Sequence, residues 1–494
     1  MSVGVNELKS TPLIDENVRA LREKAIALET AFEFKAARAI YQEIASHFKS
    51  SKIADQARRR LTDMDDLIKE KQSYERIHQN GLRVLTDIGI DMATSQPLMD
   101  ILMEADAIDF DSDTAQFIPF KADYIARCLE QVPRQMAGDP GPNAFGTGAT
   151  PPFLKRPDND DLRAANRDEF REIVRQAGNN EDVVKIFSLP VATDKSISDF
   201  EAAKLMETGF TGLKMTATRN MADNEAAFLK GKADWLDGTS LATSLGIMQT
   251  MVDPFLRSAR IGNNLLLLDL TIAGVSGPIS PEALLTQVHA QVMFMMILAQ
   301  TVTPGIECIH GGIPDVVGPD GDLSYSSPSQ PLLNAAMARL NRWVTGFPSA
   351  QSGGSTSITD VTPEAIAESD QSRRTLRKYG VHILRHAMGA LGSLNFFSLE
   401  KFIEDCRFER IAEQKDQKNG NARGIIPLYL PSDDTAFSGI REIAEKGNPK
   451  NADHTLKNVD ALIKWEKVIT EAALKRERFP ELDENVSGFD SAIF

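Results

Sequence analysis

Residues 265–296 read LLLLDLTIAGVSGPISPEALLTQVHAQVMFMM. The first part is a near-continuous apolar run, the last resumes with helical periodicity, and between them lies the small, bare turn SGPISPE. An apolar run with so little polar alternation suits a strand covered on both faces, as in a parallel sheet whose crossovers are helices. The alternation recurs on either side. DVVKIFSLPVA precedes SDFEAAKLMET, TGLKMTA precedes NEAAFLKGKADWL, GIECIHGG precedes PSQPLLNAAMARLNRW, and TGFPSAQSGG precedes PEAIAESDQSRRTLRKYGVHILRHAMGA. Successive βα units, none opened by a GxGxxG turn, predict a closed α/β fold, the (β/α)8 TIM barrel, rather than a dinucleotide-binding sheet. In a barrel the residues after each strand form the mouth where ligands bind, and a bare Gly-Ser-Gly turn there leaves room for one.

With 494 residues, 42% of them hydrophobic, the chain can bury a large core. Seventy acidic against 55 basic residues give a net charge of −15, which repels phosphate backbones and acidic membrane surfaces. Nucleic acid and membrane are therefore not expected partners. Cys128, Cys308 and Cys406 are too few and too scattered for a disulfide framework, and the polar N-terminus lacks a signal-peptide core. No window approaches roughly 18 consecutive apolar residues, so the expected setting is the cytoplasm. Residues 1–70 read as an N-terminal extension, with a helical hairpin over 20–65 like a single tetratricopeptide unit; residues 71–494 hold the barrel and its flanking segments. The hairpin could cap its own barrel or hold a neighbouring copy in a homo-oligomer. The Gly- and Pro-rich stretch GDPGPNAFGTGATPPFLKRPDNDD reads as a loop at the entrance to the barrel.

The expected mouth is poor in catalytic acids and bases. It offers Gly274, Ser276 and Gly277; Glu307, Cys308 and His310; Gln351 to Ser357; and Asn395 to Ser398. Cys308 and His310 fall on one face of a strand, where a thiol-activating zinc could use them, but no further ligand is evident. His382 and His386 are read as i and i+4 on a helix without the Glu of HExxH. His386, just before AMGALG, is the better candidate for ligand contact. Tyr325 and Phe396 lie near loop or strand ends, where aromatic faces could hold a cation or simply pack. Gln291 and Lys214 are polar groups on otherwise apolar elements, and MFMMI (293–297) is spaced as a core helix face.

Several segments, in order, resemble the trimethylamine methyltransferase family, including its glycine betaine branch without pyrrolysine. They are IHQNGLRVLTDIGIDM, DDLRAANRDEF ahead of the barrel, AGVSGPISPEALLTQVHAQ, VTPGIECIHGGIPDVVGPDGDLSYSSPSQPLLNAAMARLNRW, AQSGGSTSITD, RHAMGALGSLNFFSLEKFIED and IREIAEKGNPKNADHTL. The resemblance implies a barrel that passes a methyl group from a methylated amine to the cobalt of a corrinoid carried by a cognate partner protein. This chain departs from the family in having only standard residues, in having His289-Ala290-Gln291 where Asn-Ala-Glu is usual, and in its N-terminal hairpin. It also lacks a DxHxxG segment of its own for a corrinoid. A quaternary ammonium needs no protonation to leave, so SN2 attack by Co(I) suits a mouth without an acid–base pair. On this reading His386, His310 and the SGGSTS loop, with Ser355, receive the carboxylate of a betaine. Tyr325 and Phe396 stand near its methyl groups, Gln291 lines the site, Gly274, Ser276 and Gly277 face the corrinoid, and no metal is bound. The alternatives are a zinc-dependent methyltransferase and a barrel that binds a methylated solute without catalysis.

Overall fold

The structure, a computed structural model, describes residues 12–47, 52–109, 116–148, 150–156, 159–318, 323–419, 425–428 and 430–446. Eight parallel strands form the barrel wall: β1 (Ala144–Gly146), β2 (Val184–Ser188), β3 (Leu213–Thr216), β4 (Trp235–Thr239), β5 (Leu265–Ile272), β6 (Cys308–Asp315), β7 (Ala350–Ser352) and β8 (Ile383–Arg385). Neighbours in sequence are neighbours in space from β1 to β6, and β8 returns to pair with β1. The remaining seam, between β6 and β7, is joined by one parallel bridge, His310 to Ser349, where the His310 amide donates to the Pro348 carbonyl at 2.8 Å. The wall is thus closed, as the βα alternation predicts.

Three strands escaped that prediction. β1 lies inside the Gly- and Pro-rich stretch read as a loop, β4 ends a segment read as helix, and β8 lies within HILRH, also read as helix. Consequently His382 and His386 flank a strand, and DDLRAANRDEF follows the first barrel strand instead of preceding the barrel. There Asn166 caps helix Arg167–Asn179 in a reciprocal capping box with Glu169.

Inside the wall, Ala144, Ile186, Leu213, Met215, Leu236, Leu266, Ile309, Ala350 and Ile383 form one cluster, the filled core expected of this fold. The helix Pro281–Val302 packs outside β5 and β6 and is buried along nearly its whole length, MFMMI included. It is long and apolar enough to cross a membrane, but its apolar window lies wholly within the protein. Between β5 and this helix, Gly274 adopts φ 74°, and a Cβ on Gly277 would lie 2.4 Å from Thr271 Cγ2. The turn is bare because the chain must reverse there against its own strand.

At the N-terminus, α1 (Pro12–Thr30) and α2 (Phe34–His47) pair and pack along α3 (Lys52–Arg83), which runs on through Tyr74 as a single helix. The hairpin read over 20–65 therefore has an additional turn at residues 31–33, where Phe32 takes φ 62°. Phe32, Phe34 and Tyr74 surround Trp343 at centroid distances of 5.6, 5.0 and 5.6 Å, docking these helices on the barrel. Two ion pairs fasten α3 to the barrel's helical layer. Arg76 reaches Glu282 at 2.8 and 2.9 Å, and Arg339 reaches Glu70 at 2.7 Å with both groups buried. Glu70 also accepts from Tyr74 and from the Leu428 amide, each at 2.7 Å. Removing one partner strands the other charge in the interior, so Arg339→Ala is expected to cost ~3–5 kcal/mol of stability, measured by denaturant unfolding.

Candidate active site

Strand alternation places Gly146, Ser188, Gly238, Gly311, Ser352 and Arg385 on the inner face of the wall, above the apolar core cluster. Five of these side chains are small or absent. The sixth is a guanidinium, 2% exposed. Arg385 Nη2 makes two long contacts, to the carbonyls of Gly311 at 3.2 Å and Ala350 at 3.3 Å, while its Nε has no partner. No carboxylate lies within ion-pair distance of it among the described residues. Burial pulls Arg385 down to about 10, partly opposed by nearby Tyr325.

Beside it runs a chain of hydrogen bonds. His386 Nδ1 meets Ser352 Oγ at 2.6 Å and Ser352 Oγ meets the Tyr325 hydroxyl at 3.0 Å, with the Asp315 carboxyl close by. Asp315 ends β6, with Oδ1 accepting from the Val316 amide at 2.8 Å and Oδ2 buried without a partner. Burial raises the Asp315 carboxyl to about 7, keeps the Tyr325 hydroxyl protonated, and holds His386 neutral with help from the Arg385 charge. His386 itself adopts φ 64°, a left-handed conformation uncommon for a side chain of this size. Ser355 Oγ and the Gln330 Oε1 close to Gly353 are likewise buried and unpartnered. An orphaned buried polar atom costs about 1–3 kcal/mol, so the groups at this end of the barrel are candidates for completion by a polar ligand.

The site residues expected from sequence divide by position. His386, Tyr325 and Ser355 stand at this mouth. Phe396 lies near it, half-buried on a small sheet formed by segments that follow β1 and β8, with its ring 6.0 Å from Phe153. Gly274, Ser276 and Gly277 form the turn after β5, where Ser276 Oγ accepts from the Ile272 amide and the Ser276 carbonyl accepts from Gln287.

His310 and Gln291 are elsewhere. β6 extends five residues beyond His310, so the histidine sits low on the wall and faces outward. Its Nδ1 accepts from the Gly312 amide at 3.3 Å, leaving Nε2–H to donate to His289 Nδ1 at 3.2 Å; His289 Nε2 continues to His78 Nδ1 at 3.0 Å. Burial depresses all three imidazoles, and His78 opens on a surface cavity of about 460 Å³ with Leu82, Arg134 and Phe347. Gln291 is also outside the wall, accepting from the Leu245 amide and donating to Asp269 and Thr271. Its hydrogen bonds are spent on the scaffold. Cys308 is outward too, beside Gln300, with its thiol pushed up to about 12, and a zinc site needs a thiolate. No group of three or more His, Cys, Asp or Glu arranged to hold a metal occurs among the described residues. Lys214 pairs with Asp234 at 2.6 Å.

Sequence reasoning missed Asp315 and Arg385. The first lay beyond a strand judged to end at its glycines, and the second inside a segment read as helix.

Residues 240–471 match the model of the family described as trimethylamine methyltransferase, MTTB. The matched span carries β5 to β8 and with them Asp315, Tyr325, Ser352, Arg385 and His386. The glycine betaine methyltransferase of Desulfitobacterium hafniense (strain Y51) is 24% identical over 417 residues, covering 78% of this chain and 83% of that one. Two solved structures of MtmB, a hydroxylamine complex and the monomethylamine methyltransferase of Methanosarcina barkeri, are each 11% identical and cover 83% of this chain and 94% of theirs, with TM-scores of 0.44 and 0.43.

Burial holds Asp269, behind β5, near 7, whereas an unfolded Asp titrates near ~3.9. Between those values the unfolded chain has lost a proton that the folded one keeps. Stability from this group is therefore complete at low pH and is lost as pH rises through about 7. Asp269→Asn is expected to flatten that decline, read as a smaller loss of unfolding free energy between pH 5 and pH 8 than in the parent.

Proposed function

We propose that the chain is a methyltransferase that moves a methyl group from a betaine-like quaternary or methylated amine to the Co(I) of a corrinoid on a cognate partner protein. The observation that carries this reading is Arg385: a buried cation at the mouth with no acid partner among the described residues and an unpartnered Nε. Leaving such a charge unpaired costs several kcal/mol, and a ligand carboxylate offsets that cost with bidentate hydrogen bonds. A zwitterion carrying both a carboxylate and a methylated ammonium fits a site that sets Arg385 beside Tyr325 and Asp315. The family match and the name of the Desulfitobacterium hafniense relative support the same chemistry.

The corrinoid supplies a nucleophile that accepts the methyl group. The chain's own residues bind and orient. Arg385 and the Ser355 hydroxyl anchor the carboxylate, His386 shapes its pocket, and the ring faces of Tyr325 and Phe396 lie along the cation, each contributing about 0.5–2 kcal/mol. Holding the N–CH3 bond in line for attack contributes more, about 7–11 kcal/mol for a near-attack geometry. The turn at Gly274, Ser276 and Gly277 would stand at the corrinoid's edge, with the Ser276 hydroxyl turned back to accept from the Ile272 amide. Among the described residues, 12–70 act as an appended helical layer and the remainder as the catalytic unit, with α3 running across the boundary. The three cysteines are free, in keeping with a reducing cytoplasm.

Purified protein mixed with cob(I)alamin and, separately, glycine betaine, proline betaine, carnitine, choline and trimethylamine is expected to form methyl-Co(III) with a betaine. Silence with all of them, alongside an active family enzyme, overturns the proposal. Arg385→Gln is expected to weaken betaine binding about 10- to 100-fold, the ~1.5–3 kcal/mol of a charge-assisted hydrogen bond, and to leave choline binding nearly unchanged.

A further inference from the structure

The imidazoles of His310, His289 and His78 stand away from the mouth, and their hydrogen bonds all run in one direction. The Gly312 amide donates to His310 Nδ1, so the proton of that ring is on Nε2 and is given to His289 Nδ1 at 3.2 Å. With its Nδ1 occupied as an acceptor, His289 donates from Nε2 to His78 Nδ1 at 3.0 Å. His78 is fixed in the same way, and what it offers beyond the stack is an Nε2–H donor. Burial keeps the three rings neutral near pH 7, so none reverses the order by taking a second proton. Hydrogen bonds aligned in series polarise one another, and the His78 end of this series carries the positive end of the summed dipole.

His78 lines the cavity of about 460 Å³, within the range of about 300–1,000 Å³ common for small-molecule sites. Leu82, Ile125, Leu129 and Phe347 supply apolar wall. Arg134 supplies charge. Its guanidinium donates to the Val132 and Leu129 carbonyls at 2.5 and 3.0 Å and lies 4.4 Å from the centre of the Phe347 ring, which leaves its other N–H groups without a partner among the described residues. Glu130 also lines the cavity, but it is exposed to water and makes no ion pair with Arg134 among the described residues. Arg134 precedes β1 and Phe347 precedes β7, so the cavity lies toward the end of the barrel opposite the mouth.

We propose that this cavity is a second binding site, for a small organic carboxylate with an apolar tail. The tail covers the walls, and the carboxylate accepts from Arg134 and from His78 Nε2–H. A cation would meet both the guanidinium and the positive end of the stack, and a neutral solute would forgo the charge-assisted bonds that distinguish the place. The inference goes beyond methyl transfer and does not depend on it. Both sides of the cavity also lead to the seam between β6 and β7. His310 heads the stack and gives its amide to the Pro348 carbonyl, and Phe347 is the residue before Pro348. An occupant held between His78 and Phe347 is thereby linked to both strands at their one bridge.

Titration calorimetry of the full chain with hexanoate, hexanamide and hexylammonium tests the proposal. Hexanoate is expected to bind saturably, with the amide and the amine at least about tenfold weaker. Arg134→Gln and His78→Phe are each expected to lower hexanoate affinity about tenfold or more, whereas Arg385→Gln, at the mouth, leaves it unchanged. Arg134 is exposed, so its variant keeps the fold, as checked by thermal melting, and decides the matter if His78→Phe does not fold. Amide binding as tight as that of the carboxylate overturns the proposal, as does a hexanoate affinity that survives the cavity variants or falls instead with Arg385→Gln. Absence of saturable binding by butyrate, hexanoate and octanoate overturns it as well.

Discussion

The helix Pro281–Val302 has almost no side that tolerates water, and the architecture around it follows from that constraint. An all-round apolar helix in a globular protein needs cover on every face. β5 and β6 supply one face, and α3, the helix Ala122–Gln131 and the helix Ala436–Lys446 supply the others. Most of its polar side chains also find partners. Glu282 meets Arg76, Gln287 meets the Ser276 carbonyl, His289 meets two imidazoles, Gln291 meets Asp269 and Thr271, and Gln300 meets the Ile306 carbonyl. The helical layer at the N-terminus therefore completes a second shell of core that the barrel strands alone leave open.

Legibility in the sequence tracked how much of each element's stability is local. β5 announces itself because four successive leucines cannot face water, and Pro281–Val302 because its length and composition admit one conformation. β1 and β8 have three residues each, and pairing with both neighbours holds them in place. Nothing in AFG or ILR prefers a strand without those neighbours. β4 was hidden by Asp237, whose carboxylate points outward to the Thr218, Ser258 and Asn263 side chains and so reads as a loop residue. Because β8 was lost to a helical reading, the charge at the centre of the mouth was lost with it. His386 and Tyr325 remained visible as unusual residue types in small-residue surroundings, whereas the faces to which His310 and Gln291 turn depend on register.

The mouth carries buried polar groups without protein partners. Elsewhere this protein pairs its buried charges: Glu70 with Arg339, Lys401 with Asp405, Arg373 with Asp405. At the ends of β6 to β8 it leaves a guanidinium, a carboxylate oxygen and a hydroxyl incomplete, against a background in which most buried polar groups are bonded. The family match covers this half of the barrel, and the same half holds the incomplete groups.

The single bridge between β6 and β7 bears on how such a site can work. Other strands of the wall share ladders, so their separations are fixed by several hydrogen bonds at once. Asp315 and Ser352 stand at the ends of the two strands that share only one. Arg385 adds a further tie across this seam, its guanidinium reaching the Gly311 carbonyl on β6 and the Ala350 carbonyl on β7, so any widening of the seam would be felt first at that guanidinium.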